Sequence, residues 1–121
     1  LVLITILSLS AGDLVAQLSG NYTIKSTSIT SGSNFQSFAD FRSALSSNGV
    51  SGPLNVTVAI GSGPYNEKVS FSSYSGMSVI NTITIKGNGE QINYNPTPGI
   101  SDKSIVRFES GANYFVLDSL Y

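Results

Sequence analysis

The sequence contains neither cysteine nor histidine. Without cysteine there is no disulfide framework and no thiolate nucleophile. Because histidine is missing too, there is no Cys/His zinc site. The lack of histidine also removes the commonest general base near neutral pH, which leaves acid–base chemistry to Asp, Glu, Lys, Tyr or Arg. We therefore expect no cofactor, and a metal ion would have to be bound by oxygen ligands alone.

Charge is scarce as well. Charged residues make up 11% of the chain and the formal net charge is -1 at pH 7, whereas an average globular chain has about 25% charged residues. With 40% apolar residues, the chain is too hydrophobic for a disordered protein. Its six basic residues are scattered singly, which argues against nucleic acid or an anionic membrane as a partner. This balance fits an extracellular β-rich protein with a neutral polar surface.

The first residues have the pattern of a secretory signal peptide. An apolar run, Leu1–Leu9, is followed by small residues up to Gly12, as in the h-region and cleavage side of a signal. The run is too short for a membrane span, which needs about 20 apolar residues. We predict that residues 1–16 are a signal remnant cleaved after Ala16, with cleavage after Gly12 as the alternative, and that the mature protein is secreted or at the cell surface. A buried first strand or helix is the other interpretation.

Residues 17–53 are predicted to form a short strand near Tyr22, a Ser/Thr-rich loop and a helix over Phe35–Gly49. The helix has one apolar stripe, made of Phe38, Phe41 and Leu45. Ser37, three residues before Asp40, resembles a capping box, and Gly49 supplies a left-handed stop. A single amphipathic helix placed before a series of strands is expected to cover the exposed end of a β-structure.

Residues 54–121 read as short strands separated by turns of variable length. The predicted strands are Leu54–Ile60, Val69–Phe71, Val79–Ile85, Ile105–Phe108 and Tyr114–Leu120. No Asn-Gly hairpin joins strands of matched length, so a solenoid of stacked parallel strands is favoured, with a β-sandwich as the alternative. Because the last segment is the most strand-like of all, we expect further residues to follow Tyr121.

Several segments together carry a resemblance to a known fold. These are the helix, the strand entry Gly52–Val58, the turn Gly63–Val69, the strand Ile83–Gly87 and the strand Asn113–Asp118. They resemble the N-terminal part of a pectin-lyase-like right-handed parallel β-helix, of the type found in large secreted proteins of Bacteroidetes-type bacteria. The family pattern G-x-Y-x-E-x-V, which closes the first coil, is occupied here by Gly63, Tyr65, Glu67 and Val69.

Tyr65 and Glu67 are the candidate binding residues within that turn. The structural interpretation, which we favour, is that Glu67 accepts hydrogen bonds from backbone amides of the turn and fixes the first coil. The functional interpretation is that both side chains line a cleft and contact a sugar, Tyr65 through its ring and hydroxyl. Neither catalytic nor metal-binding residues are predicted in this part of the chain.

The resemblance implies a function without a specific activity. We expect the N-terminal cap and first coils of a secreted or cell-surface β-helix protein, structural, adhesin-like or carbohydrate-binding, with polysaccharide as the possible partner. The alternative is the first part of a pectate lyase, pectinesterase or glycosidase-like enzyme. In family members that cleave polysaccharides the catalytic residues lie on later coils, which here would fall beyond Tyr121.

Overall fold

The computed structural model describes residues 16–121, so the predicted signal segment lies, apart from Ala16, outside the described residues. The described part contains one helix and nine strands. In chain order they are β1 (Leu18–Ile24), β2 (Asn34–Phe35), α1 (Phe38–Asn48), β3 (Val50–Val58), β4 (Tyr65–Asn66), β5 (Val69–Phe71), β6 (Ile83–Lys86), β7 (Ile92–Asn93), β8 (Val106–Phe108) and β9 (Phe115–Asp118).

All pairings between these strands are parallel. One sheet has the strand order β2-β1-β3-β6-β9, and two further pairs are formed by β4 with β7 and by β5 with β8. From β3 onward the chain therefore passes through the three sheets in the same order twice. The first round consists of β3, β4 and β5, and the second round of β6, β7 and β8. The last strand, β9, lies in the first sheet again. The expected mostly β chain with parallel strands and one short helix is confirmed. A β-sandwich, which is built from antiparallel sheets, does not describe it.

The strand register stacks inward-facing side chains into columns. In the five-stranded sheet Val56 pairs with Ile85, and Ile85 pairs with Leu117. Val56 and Ile85 are almost completely buried, because alternate residues of each strand point to one face and successive rounds cover one another. The core therefore lies between the three sheets as a continuous apolar stack.

The helix α1 closes one end of this stack. It begins at Phe38, where the Ser37 hydroxyl accepts a hydrogen bond from the Asp40 backbone N–H at 3.0 Å, and ends at Gly49 with φ of 66°. Both predicted caps are thus confirmed, although the helix starts later than expected because Phe35 belongs to β2. Its apolar stripe is buried against β1, β2 and β5. Within residues 16–121 no helix has the length and apolar character that crossing a membrane requires.

Four of the five strands predicted over residues 54–121 have different bounds in the structure. Val79 and Ile80, which were expected in a strand, are 77% and 73% exposed. They lie in a turn where the Ser78 hydroxyl accepts hydrogen bonds from the backbone N–H groups of Ile80 and Asn81, so β6 begins only at Ile83. The first round differs too, because β3 already begins at Val50 and the two-residue strand β4 lies inside the predicted turn.

Candidate functional site

Tyr65 is an internal residue of the first round. Its side chain is 4% exposed, and its hydroxyl lies 2.6 Å from the Ser62 hydroxyl and donates to the Ile24 carbonyl at 3.2 Å. Its ring meets the ring of Phe38 edge-on, with centroids 5.1 Å apart. Tyr65 therefore ties the turn to β1 and to the helix, and its predicted contact with a sugar stays a prediction.

Glu67 holds the start of the helix. Its two carboxylate oxygens accept hydrogen bonds from the backbone N–H groups of Phe38, at 3.2 Å, and Ala39, at 2.7 Å. These first-turn amides have no acceptor within the helix and lie at its positive end, so a carboxylate is a favourable partner. The expected bonds to backbone amides are present, but the amides belong to the helix and not to the turn. The predicted sugar contact of Glu67 stays a prediction as well.

The carboxylate that holds the turn itself comes from the second round. Glu90 accepts hydrogen bonds from the backbone N–H groups of Gly61, at 2.5 Å, and Gly63, at 2.7 Å. A Cβ atom added at Gly63 would lie 2.6 Å from the Glu90 carboxylate, so a larger residue at that position would displace the carboxylate from its hydrogen bond. Nothing local in the sequence marks Glu90 for this role, because its partners lie in the previous round.

An open groove of about 580 Å³ lies beside the β4–β7 pair, and we call it the amide groove. It is lined by Asn66, Asn93, Tyr94, Asn95 and Ile105. Asn66 pairs in register with Asn93, and both are exposed while their neighbours Tyr65 and Ile92 are buried. The lining is uncharged and combines amides with one aromatic ring and one aliphatic side chain.

A small charged cluster stands next to the amide groove. The Lys68 ammonium lies 2.6 Å from the Asp102 carboxylate and 5.7 Å from the centroid of the Tyr94 ring, and Arg107 approaches Asp102 at 3.2 Å. Hydrogen bonds from the Lys68 ammonium and from the Ser104 hydroxyl and N–H hold the pKa of the Asp102 carboxyl well below its usual value of 3.8. The cluster keeps Lys68 over the Tyr94 ring and so restrains one wall of the groove.

Three carboxylates follow β7 in the chain, and none of them lines the amide groove. The amide groove has no carboxylate in its lining, and Asp102 is already engaged by two cations. Glu109, which follows β8, and Asp118, the last residue of β9, are exposed. Across residues 16–121 there is no group of three or more Asp, Glu, Cys or His side chains that could hold a metal ion.

Sequence reasoning selected the stretch of chain that contributes Asn66 to the amide groove, but it did not select Asn66 itself. Its two candidates, Tyr65 and Glu67, are the chain neighbours of Asn66. The sequence alone does not single out the other lining residues, which are Asn93, Tyr94, Asn95 and Ile105. The signal that identifies them is the parallel register of β4 with β7, which is a long-range pairing.

No protein-family model, no curated protein and no solved structure matches this chain significantly. What can be said of its function therefore depends on the contacts described above. They establish a small domain rich in parallel strands, one helix fixed to it by a carboxylate, and a neutral groove on its outer surface.

Proposed function

We propose that the chain is the N-terminal cap and the first coils of a right-handed parallel β-helix protein that is secreted or displayed at the cell surface, and that this part is structural and not catalytic. The observation that carries the proposal is the attachment of the helix. Its apolar stripe lies over one end of the strand stack while Glu67, two strands later, binds its N-terminus. A helix held in this way keeps the first round from exposing a bare strand edge and core.

The order in which the chain visits the sheets supports the coil assignment. Each round passes from the long sheet to the β4–β7 pair and on to the β5–β8 pair. Repeated visits in a constant order, with parallel pairing between equivalent strands, are the pattern of a strand solenoid. Contacts between rounds add to this, since Glu90 bonds back to the first turn and Asn88 donates to the Val58 carbonyl at 2.8 Å.

The opposite end of the stack supports the idea that the domain is a cap for something longer. Leu117 continues the buried column of Val56 and Ile85 but is 42% exposed, and Phe108 is 41% exposed. In a solenoid, inner rounds are covered on both sides and only terminal caps are not. A further coil packed on β9 would bury this face.

The oligomeric state of the purified chain tests the proposal. We expect the chain to associate reversibly through the uncovered face, as seen by sedimentation velocity over a range of concentrations, because an exposed apolar edge strand favours self-association. Leu117→Glu should shift the population to monomer. The matched change Ile29→Glu should not, because Ile29 is an exposed residue of the loop between β1 and β2, which form the opposite edge of the sheet from β9. A native chain that stays monomeric at high concentration would contradict the capping role.

Export requires its own test. N-terminal sequencing of the protein recovered from the culture medium or the cell surface should give a chain that begins at Gln17 or, for the alternative site, at Asp13. Recovery of the uncleaved chain from the cytoplasm alone would contradict the secreted location.

A further inference from the structure

Glycine follows asparagine at two places in the chain, Asn48–Gly49 and Asn88–Gly89. Such a dipeptide can react within itself, because glycine has no side chain to keep its backbone nitrogen away from the carbonyl carbon of the asparagine side chain. In a folded chain the reaction depends on the hydrogen bonds that hold these two groups. The two dipeptides differ in where those hydrogen bonds come from.

The first dipeptide is held by its own helix. The Gly49 N–H donates to the Leu45 carbonyl at 2.9 Å, as part of the C-cap of α1. Leu45 belongs to the buried apolar stripe, so this hydrogen bond opens only when the end of the helix unwinds. The nitrogen of Gly49 is therefore shielded by a local contact.

The second dipeptide is held from two directions. The Asn88 side-chain amide donates to the carbonyl of Val58, in the first round, at 2.8 Å. The Gly89 N–H donates to the carbonyl of Ser119, which follows β9, at 2.7 Å. A nitrogen held in this way must give up a hydrogen bond before it can lose its proton and turn toward another carbonyl carbon. The Ser119 carbonyl thus blocks the nitrogen that would react.

Ser119 lies in the least covered part of the stack, residues 115–121, which we call the third round. Its strand, β9, is paired on one side only, and residues 116–119 are exposed. Ser119 itself has a φ of 53°, which a non-glycine residue adopts at a cost. Since segments with few buried contacts open locally at a low free-energy cost, we expect the Gly89 nitrogen to be released more often than the Gly49 nitrogen.

We propose that Asn88 is a site of intramolecular deamidation whose rate records how firmly the third round is seated. When Ser119 lifts away, the Gly89 nitrogen loses its proton and attacks the side-chain carbonyl carbon of Asn88. The side-chain nitrogen leaves as ammonia, and a five-membered succinimide ring remains. Water then opens the ring at one of its two carbonyl carbons, which gives aspartate or isoaspartate. One water is consumed, one ammonia is released, and no atom changes its oxidation state.

The product no longer fits between the rounds. An aspartate at position 88 brings acceptor oxygens against the Val58 carbonyl, which has lost its donor. An isoaspartate also lengthens the main chain by a methylene group, which moves Gly89 away from Ser119. The reaction is therefore a one-way switch that keeps the third round from closing again in its native form. It uses none of the contacts that attach the capping helix, so this proposal and the capping role fail separately.

Peptide mapping by mass spectrometry, after incubation of the folded chain in mildly alkaline buffer, measures deamidation at each dipeptide. The same chain in denaturant gives the unshielded rates, and the ratio of denatured to folded rate gives the protection at each site. We expect both sites to be protected, and the protection of Asn88 to be several-fold smaller than that of Asn48. Equal or greater protection at Asn88 would overturn the proposal, and so would a complete lack of protection there.

A variant of the third round localises the effect. Leu120 packs against the core, so Leu120→Ala should loosen the third round and raise the Asn88 rate several-fold, with the Asn48 rate unchanged. Val116→Ala is the matched control, because Val116 is half exposed on β9, and it should change neither rate. An unchanged Asn88 rate in Leu120→Ala would refute the coupling. An equal rise at both sites would show that the reaction needs global unfolding, and would refute it as well.

The consequence of the reaction is tested with a mimic of its product. Asn88→Asp should speed hydrogen exchange of the Gly89 amide several-fold, because the loss of the bond to Val58 frees the dipeptide on its first-round side. Asn21→Asp, at an exposed asparagine of β1, is the control and should leave this exchange unchanged. The same exchange rate in Asn88→Asp and in the native chain would show that the modification is silent, and the switch would be refuted.

Discussion

The two ends of the strand stack are built from the same kind of side chain but are finished differently. A row of aromatic rings runs from one to the other, with Phe71 between Phe41, at 6.0 Å, and Phe108, at 5.8 Å. Phe41, on the core-facing side of α1, is fully buried, whereas Phe108 is 41% exposed. The difference shows that apolar stacking continues to the surface at one end and is closed by a dedicated helix at the other.

The closing of the helical end depends on groups that are far apart in the chain. The stripe of α1 reaches the core because β1 and β5 form its floor, and the orientation of the helix is fixed by Glu67. At the β9 end no comparable polar anchor is present among the described residues. A sharp comparison of the ends therefore needs matched substitutions.

The largest effect is expected from Phe41→Ser. Removing a fully buried ring leaves a cavity and places a hydroxyl against the core, which should lower the free energy of unfolding by about 3 kcal/mol or more. The same substitution at Phe108 should cost only about 1 kcal/mol, because much of that ring is already in water. Denaturant unfolding followed by circular dichroism measures both.

Phe41→Ser is severe enough to threaten folding, since a domain of this size is stable by only about 5–15 kcal/mol. Phe41→Leu and Phe108→Leu provide a milder pair, in which the buried site should again lose more. Equal losses at the two positions would show that the helix does not seal the core.

Glu67→Ala should have an intermediate effect. The change removes both acceptors from the helix N-terminus and should cost about 1–2 kcal/mol. Glu109→Ala is the control, because this exposed residue contributes only backbone hydrogen bonds to the fold. Hydrogen exchange of the Phe38 and Ala39 amides should accelerate in Glu67→Ala alone, and unchanged exchange would show that the carboxylate does not anchor the helix.

The smallest effect is expected from the ion pair between Lys68 of the first round and Asp102 of the second round. Because its hydrogen bonds lower the pKa of Asp102 in the folded chain, the stabilising contribution of this carboxylate is present above its usual pKa of 3.8 and is lost as the pH falls through the lower folded value. A carbon-13 titration of the Asp102 carboxyl should therefore have its midpoint below 3.8. Lys68→Met should raise that midpoint, and a native midpoint at 3.8 would contradict the contact.

Sequence reasoning succeeded where the signal is local. Ser37 and Gly49 mark the helix ends through contacts within a few residues, and the stripe that includes Phe41 is visible as a helical period. β5 was predicted with its exact bounds, Val69–Phe71, since its alternation follows a clear turn. The parallel arrangement was also predicted, from the absence of hairpin signals.

Sequence reasoning failed where the partner of a residue or strand lies in another round. The two-residue strand β4 has no pattern of its own and exists only through its pairing with β7. Glu90 has no local sequence signal, because the backbone N–H groups that it binds, those of Gly61 and Gly63, lie in the previous round. The apolar side chains of Val79 and Ile80 predicted a strand that the structure does not contain. The Ser78 hydroxyl accepts hydrogen bonds from the following backbone N–H groups, and the resulting turn exposes both side chains.

The connections between the second and third strands of the two rounds differ greatly in length. Residues 67–68 join β4 to β5, while residues 94–105 join β7 to β8, yet both rounds keep their parallel register. Length is thus free to vary at this corner, since lengthening a surface loop costs little free energy. As Tyr94, Asn95 and Ile105 lie on the long connection, exchange of this one loop would replace most of the lining of the amide groove without rebuilding the stack beneath it.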